Sequence, residues 1–453
     1  MSNVEYFFKK TQELVLRKIV SLAKMFASGD LGGILNALFH NGGVVLIKGG
    51  QFFLAMSIPE EVKKQEKIVS DPVVSTAPFL EQYQRIFDSV YHFKSWKERE
   101  GEAGAASSSR NTPEFIWFVP DWLNVWGGGH YTLFRFAQRF AERGGKHQII
   151  YIYDNKRHSS PDHLQSELDF AIRNCKLEVI VDPKKLPPCE AVIATTWQSA
   201  YSVRAFPFAK NKFYFMQDYE SLFYPWGTAS MQANATYGFG FRGITGGTWL
   251  RQIYEGHGGV AENYRFAADK DIFYPASPGA KVRADVKRLF FYGRPSTERR
   301  CFELGMASLN KIAEIYPDVE IVIAGLDLDV PPPFKATLLG NQSLQATGDL
   351  YRSCDVGLAF SGTNLSYLPV ELMACGVPVL TNRGPHVEWH CHHDENSYLI
   401  DPVPEAVVAG FQALYENLTL RQKLVDGGLK TMAGLSWENE MDKIYDYVER
   451  SLN

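Results

Sequence analysis

The amino-acid sequence predicts an α/β protein of two consecutive doubly wound domains, each a parallel sheet with helices on its faces, preceded by a helical extension. Three observations predict it. From residue 115 onward, short continuous apolar runs alternate with amphipathic helical stretches, the pattern of strands buried on both faces. The alternation restarts after Tyr274–Ala280, a Pro/Gly-containing stretch suited to a linker. The chain of 453 residues also exceeds one ordinary core, at roughly 150 residues per domain.

Residues 1–110 lack this alternation and read as helical pieces ending in a Gly/Ala/Ser-rich linker, Gly101–Arg110. The first domain is expected over 111–275. Phe115–Val119 is an apolar run, followed by Gly127-Gly128-Gly129 and a helix whose Leu133, Phe136, Ala137 and Phe140 share one face until Gly144-Gly145. Ile149–Tyr153, Leu177–Val181, Ala191–Thr195 and Lys212–Met216 are further β-rich runs. The second domain is expected over 276–453. Arg288–Tyr292, Glu320–Ala324, Asp355–Phe360 and Val377–Thr381 read as strands, with helical patterns at Phe302–Ile315, Leu350–Cys354 and Leu368–Cys375 between them. Trp437–Leu452 reads as a closing amphipathic helix with Met441, Ile444, Tyr445 and Val448 on one side.

Composition narrows the function. Hydrophobic residues at 45% and charged residues at 22% describe a globular chain, and a net charge of −4 argues against a nucleic-acid partner. The six cysteines show no CxxC pair and no disulfide-like spacing, which fits a reducing cytoplasm. No secretory signal is expected. Leu31–Pro59 is apolar, but Asn36, His40, Asn41, Lys48, Gln51 and paired glycines interrupt it, whereas a membrane span needs about 20 predominantly apolar residues. Lys9, Lys10, Arg17 and Lys18 accompany Leu14, Val15, Ile19 and Leu22 in a basic amphipathic pattern. That pattern fits a helix packed on the protein, with a peripheral contact to the inner face of the cell membrane as the alternative.

In open parallel sheets ligands bind beyond the carboxyl ends of strands, so the loops there hold the candidate site. Gly127, Gly128 and Gly129, with His130, follow the first strand; glycines admit a ligand close to the backbone, and the next helix offers free N–H groups. Tyr292-Gly293-Arg294-Pro295 precedes Arg299 and Arg300, guanidiniums able to converge on phosphate oxygens at a strand-to-helix turn. Ser361–Glu371, containing Thr363 and Tyr367, is a small-residue loop opening a helix, with Glu371 placed to accept hydrogen bonds from ribose hydroxyls. Gln217, Asp218 and Glu220, with Tyr224 downstream, combine acids and aromatics as a carbohydrate-handling surface does. Trp389-His390-Cys391-His392-His393 looks metal-like, yet neighbouring residues 391–393 do not readily chelate one zinc tetrahedrally, and no metal is expected.

Together the second and third of these motifs carry a resemblance. Over about 111–450 the chain resembles glycosyltransferase family 4 of the GT-B fold, in which two Rossmann-like domains face a cleft. It is similar to the rhamnosyltransferase branch that builds bacterial S-layer and related surface glycans. The residues are Gly127–His130, Phe215-Met216-Gln217-Asp218-Tyr219-Glu220 with Phe223-Tyr224-Pro225, Tyr292-Gly293-Arg294-Pro295, and Pro369-Val370-Glu371-Leu372-Met373-Ala374-Cys375-Gly376-Val377-Pro378-Val379. The resemblance implies a nucleotide-sugar donor, dTDP-L-rhamnose, a glycan or lipid-linked oligosaccharide acceptor, and retaining transfer without cofactor or metal. Arg294 with Arg299 or Arg300 would hold the diphosphate, Glu371 the nucleotide's sugar, and the glycine loop would cover donor. Asp218 would orient the acceptor or assist as base. The family's Glu-x7-Glu pattern has Thr363 at its first position here, a departure that suits a deoxy-sugar. A sugar-nucleotide epimerase and a glycan-binding pseudoenzyme share the fold and remain as alternatives.

Overall fold

The computed structural model describes residues 115–155, 157–277, 282–325 and 332–452; the expected N-terminal helical extension, its linker and the Leu31–Pro59 stretch lie outside them. The first sheet comprises β1 (Phe115–Pro120), β2 (Gln148–Asp154), β3 (Leu177–Ile180), β4 (Cys189–Ala194), β5 (Ala209–Met216), β6 (Arg242–Gly246) and β7 (Val260–Tyr264). They are parallel throughout, in the order β3-β2-β1-β4-β5-β6-β7. Helices α1 (Gly128–Gly144), α2 (Pro161–Ala171), α3 (Trp197–Ala205), α4 (Thr228–Ala235) and α5 (Thr248–Gly256) connect them.

β1 shows why these runs form a central strand. Phe115, Trp117 and Val119 enter one core while Ile116 and Phe118 enter the core on the opposite face, so neither side of the strand meets water. The one polar group in β1's side chains is satisfied, since Trp117 Nε1 donates to Gln148 Oε1 at 2.8 Å.

The second sheet contains β8 (Arg288–Tyr292), β9 (Glu320–Ala324), β10 (Thr337–Leu339), β11 (Val356–Ala359), β12 (Val379–Asn382) and β13 (Tyr398–Ile400), again all parallel, in the order β10-β9-β8-β11-β12-β13. Its helices are α6 (Phe302–Ile315), α7 (Leu344–Arg352), α8 (Tyr367–Ala374), α9 (Pro385–Glu388), α10 (Pro404–Glu416) and α11 (Leu418–Ala433), followed by α12 (Trp437–Arg450). Two doubly wound parallel sheets are therefore present, as the sequence predicts. The sequence reading passes over β6, β7, β10 and β13. β6 is Arg-Gly-Ile-Thr-Gly, with poor strand propensity. Its Gly243 is nonetheless required, because a Cβ there would lie 2.7 Å from Ala261 Cβ and 2.8 Å from the Tyr254 ring.

α12 has the expected apolar face of Met441, Ile444, Tyr445 and Val448, but it packs on the first lobe rather than the second. Its polar side explains this. Arg139 of α1 makes a bidentate pair with Asp442 (2.7 and 2.9 Å), Arg143 reaches Asp446 at 2.7 Å, and Lys146 reaches Glu449 at 2.5 Å. The chain thus crosses back to clasp the first sheet, through an aromatic cluster in which Trp437, Tyr264, Phe136, Phe266 and Tyr367 meet. Among the described residues, no helix is long and apolar enough to cross a membrane.

Candidate nucleotide-sugar site at the lobe junction

The order of each sheet reverses between β1 and β4 and between β8 and β11, and at such switch points loops splay apart to leave room for a ligand. The loops after β1, β5, β8 and β11 meet there, and they carry all four motifs picked out in the sequence.

The glycine loop makes the N-terminus of α1. No side chain caps it and its first turn holds no acid, so its amides remain available to an anion. A Cβ on Gly128 would lie 3.2 Å from the Tyr367 ring of the opposite lobe, so a small residue there lets the two lobes approach, while Gly129 packs beside the Gln217 amide of its own lobe. Thr132 Oγ1 donates to Tyr367 Oη at 2.9 Å and Gln217 Nε2 to the Gly129 carbonyl at 2.8 Å. His130 turns inward, 3.3 Å from the Pro120 carbonyl, and burial lowers its pKa.

Across from it, the turn after β8 carries three guanidiniums. Arg294 is exposed. Arg299 stacks on Phe223 at 4.4 Å and lies 3.5 Å from Asp218, both residues of the first lobe. Arg300 is the unusual one. Desolvation pulls its pKa down to about 10, with repulsion from Arg299 and Arg294 added and Asp218 opposing, and its Nη1 is buried without a hydrogen-bond partner. A buried, unpartnered guanidinium nitrogen costs on the order of 1–3 kcal/mol or more unless something anionic completes it.

The loop after β11 abuts this turn, with Gly362 N donating to the Arg299 carbonyl at 2.9 Å. Asn382 and His386 hold it from below: Ser361 N donates to Asn382 Oδ1 (2.9 Å), and His386 Nε2 lies 2.8 Å from the Ser361 carbonyl. Thr363 Oγ1 is buried beside Asp218 without a well-aligned hydrogen bond. α8 then begins at Tyr367 with no side-chain cap and no acid in its first turn. Glu371 sits one turn in. Burial pushes its pKa up to about 7, the Asp269 carboxylate adds to this, and the Tyr351 hydroxyl at 3.4 Å and Arg135 oppose it.

Asp218 is largely, not fully, withdrawn from solvent. Its pKa is raised by desolvation, against which Arg299 is the largest opposing influence, and its Oδ1 accepts from Tyr219 N at 3.0 Å. Glu220 and Tyr224 are placed differently from the open carbohydrate surface the sequence suggests. Glu220 Oε2 accepts from Trp197 N at 2.5 Å, at the first turn of α3, and Tyr224 Oη accepts from Trp197 Nε1 at 3.1 Å. Both brace the start of α3, through the Trp197 backbone amide and its indole N–H. Burial raises Glu220 to about 8, the Trp197 amide opposing. A carboxyl raised from 4.5 in this way binds its proton more tightly folded than unfolded, so its contribution to stability falls as pH rises from about 4.5 to 8. Glu220→Gln, which keeps the acceptor oxygen, is therefore expected to flatten the loss of melting temperature between pH 5 and pH 8; an unchanged slope would remove Glu220 as its source.

Sequence reasoning missed the residue that joins the lobes. Asn364 Nδ2 donates to the carbonyls of Gln217 and Gly246, both at 2.9 Å, and its Oδ1 accepts from Trp389 Nε1 at 3.2 Å. It lay inside a highlighted motif, but a polar residue in a small-residue loop carries no sign of a partner more than a hundred positions away. In the His-rich segment Cys391 is buried, and His393 Nδ1 accepts from Leu399 N at 3.0 Å.

Paired Rossmann-like domains with phosphate-suited loops at their junction constitute the GT-B architecture of glycosyltransferases. Three solved structures share it: sucrose-phosphate synthase from Thermosynechococcus elongatus (TM-score 0.58, 12% identity, 75% of this chain and 98% of that one); Anabaena HepE in complex with UDP-glucose (0.57, 12%, 75% and 99%); and WaaG, a glycosyltransferase involved in lipopolysaccharide biosynthesis (0.52, 12%, 74% and 99%). At these identities the likeness is one of fold. In sequence, residues 287–412 match the family described as WsaF, C-terminal domain. The chain is similar to the O-antigen biosynthesis protein RfbC of Myxococcus xanthus, 39% identical over an alignment of 378 residues, with 78% of this chain covered. It spans 29% of that relative's length.

Proposed function

We propose that this chain is a nucleotide-sugar-dependent glycosyltransferase of surface-polysaccharide assembly, with dTDP-L-rhamnose as donor and a glycan or lipid-linked oligosaccharide as acceptor. The observation that carries the reading is Arg300, a buried guanidinium with an unpartnered nitrogen, beside Arg299, Arg294 and the uncapped start of α8. A diphosphate supplies the missing acceptors. The similarity to an O-antigen biosynthesis protein supports the polysaccharide setting.

In this reading the guanidiniums and the amides of α1 and α8 neutralise charge growing on the leaving diphosphate, where preorganised donors act most strongly. Glu371 accepts from the hydroxyls of the nucleotide's sugar. Transfer proceeds with retention: the acceptor hydroxyl attacks from the leaving-group side and its proton passes to a diphosphate oxygen, with Asp218 orienting the acceptor. Thr363 offers a single hydroxyl where the resembled family has a carboxylate, which suits a sugar with fewer hydroxyls, and this favours rhamnose.

A panel of nucleotide sugars assayed by mass spectrometry tests it. Release of nucleoside diphosphate from dTDP-L-rhamnose only when an acceptor is present is the expected result; epimer formation without acceptor, or binding without turnover, would overturn it. Glu371→Ala is expected to weaken donor binding about tenfold, the loss of one or two hydrogen bonds to a charged group, with the fold unchanged. Wild-type affinity in that variant would remove the assignment.

A further inference from the structure

The anion that now faces the arginine turn is one of the protein's own. Asp218 follows β5 of the first sheet, Arg299 follows β8 of the second, and their side chains meet at 3.5 Å. The pairing is poor. Arg299 Nε has no aligned hydrogen bond, Arg300 Nη1 beside it has none, and neither has the Thr363 hydroxyl. Arg299 and Arg300 therefore face one largely buried carboxylate, since Glu220, the other acid nearby, is occupied by the α3 amide.

Resting on the function proposed above, we propose that Asp218 is an exchangeable counter-ion of the diphosphate subsite: it holds Arg299 until a nucleoside diphosphate takes the guanidinium over. A diphosphate brings two or more negative charges and can bind Arg299 and Arg300 bidentately, whereas the single carboxylate contacts Arg299 alone at ion-pair distance. The exchange has two consequences. The carboxylate, assigned above to orienting the acceptor, is freed when the donor binds, so donor binding prepares acceptor binding. Donor affinity is also reduced by the work of displacing Asp218, because the attraction between opposite charges at this separation must be given up before the diphosphate takes its place. Phe223, stacked on the Arg299 guanidinium, keeps it in place during the exchange.

Asp218→Asn is the variant that separates a counter-ion from an ordinary binding residue. It removes the charge but keeps the oxygen that accepts from Tyr219 N. Calorimetric titration with dTDP and UDP is expected to show affinity about tenfold tighter than wild type, while thymidine and uridine, which lack phosphates, bind both proteins alike. Nucleoside diphosphate affinity equal to or weaker than wild type would overturn the proposal. Should Asp218→Asn fold poorly, Asp218→Ser carries the same expectation and the same overturning result. If neither wild type nor variant binds any nucleoside diphosphate, the proposed function fails and the exchange with it; wild-type binding with no gain in either variant removes only the exchange.

Discussion

Arg300→Met is expected to weaken nucleoside diphosphate binding by about a hundredfold and to leave the melting temperature unchanged or raised. The two halves come from one cause. A buried guanidinium whose Nη1 has no partner, and whose pKa is drawn down to about 10, is a charge the fold has desolvated without compensating. Methionine fills similar volume without that cost, and replacement of poorly paired buried charges by apolar side chains is often neutral or stabilising. The charge is expected to be compensated only by the ligand. Removing one partner of a desolvated charge pair costs about 2–5 kcal/mol, and each 1.4 kcal/mol is about tenfold in affinity. Calorimetry with dTDP, alongside thermal melts without nucleotide, measures both. A fall in melting temperature of several degrees with unaltered dTDP affinity would make Arg300 a structural residue.

The largest stability effect is expected at Asn364. Asn364→Leu keeps the volume but strips the amide that bridges the lobes, so the Gln217 and Gly246 carbonyls lose this donor, while Trp389 Nε1 keeps the His386 carbonyl at 3.1 Å. Asn364 is 1% exposed, so water does not readily replace the lost bonds. At about 1–3 kcal/mol for each buried group left unsatisfied, the two carbonyls account for a loss of about 2 kcal/mol or more. Denaturant unfolding measures it. A loss below about 1 kcal/mol would show that the aromatic cluster around Tyr264, Phe266, Tyr367 and Trp437 holds the junction without help.

These two residues mark where reading the sequence succeeds and where it stops. Arg300 was legible because its position is a local fact: a basic pair after an apolar run and before a helix falls at the end of a parallel strand, where such sheets bind ligands. Asn364 was not legible as a joint, since its partners at Gln217 and Gly246 belong to the other sheet. Asp218 lies between the two cases. Its place after β5 was visible, but its pairing with Arg299 depends on how the lobes meet. Glu220 and Tyr224 look like carbohydrate ligands in sequence and turn out to serve Trp197, because a helix start lies beside them only in three dimensions.

What the sequence by itself determined is the alternation of elements, the two parallel sheets and the loops at their carboxyl ends, including the apolar face of the last helix. Those follow from side-chain periodicity and backbone preference, which act over a few residues. Only the tertiary structure decided that this last helix returns to the first lobe, that Asn364 ties the sheets together, and that Arg300 is left buried with a nitrogen unpaired. Burial and pairing depend on groups distant along the chain, and the energies that decide them exist only once those groups are brought together.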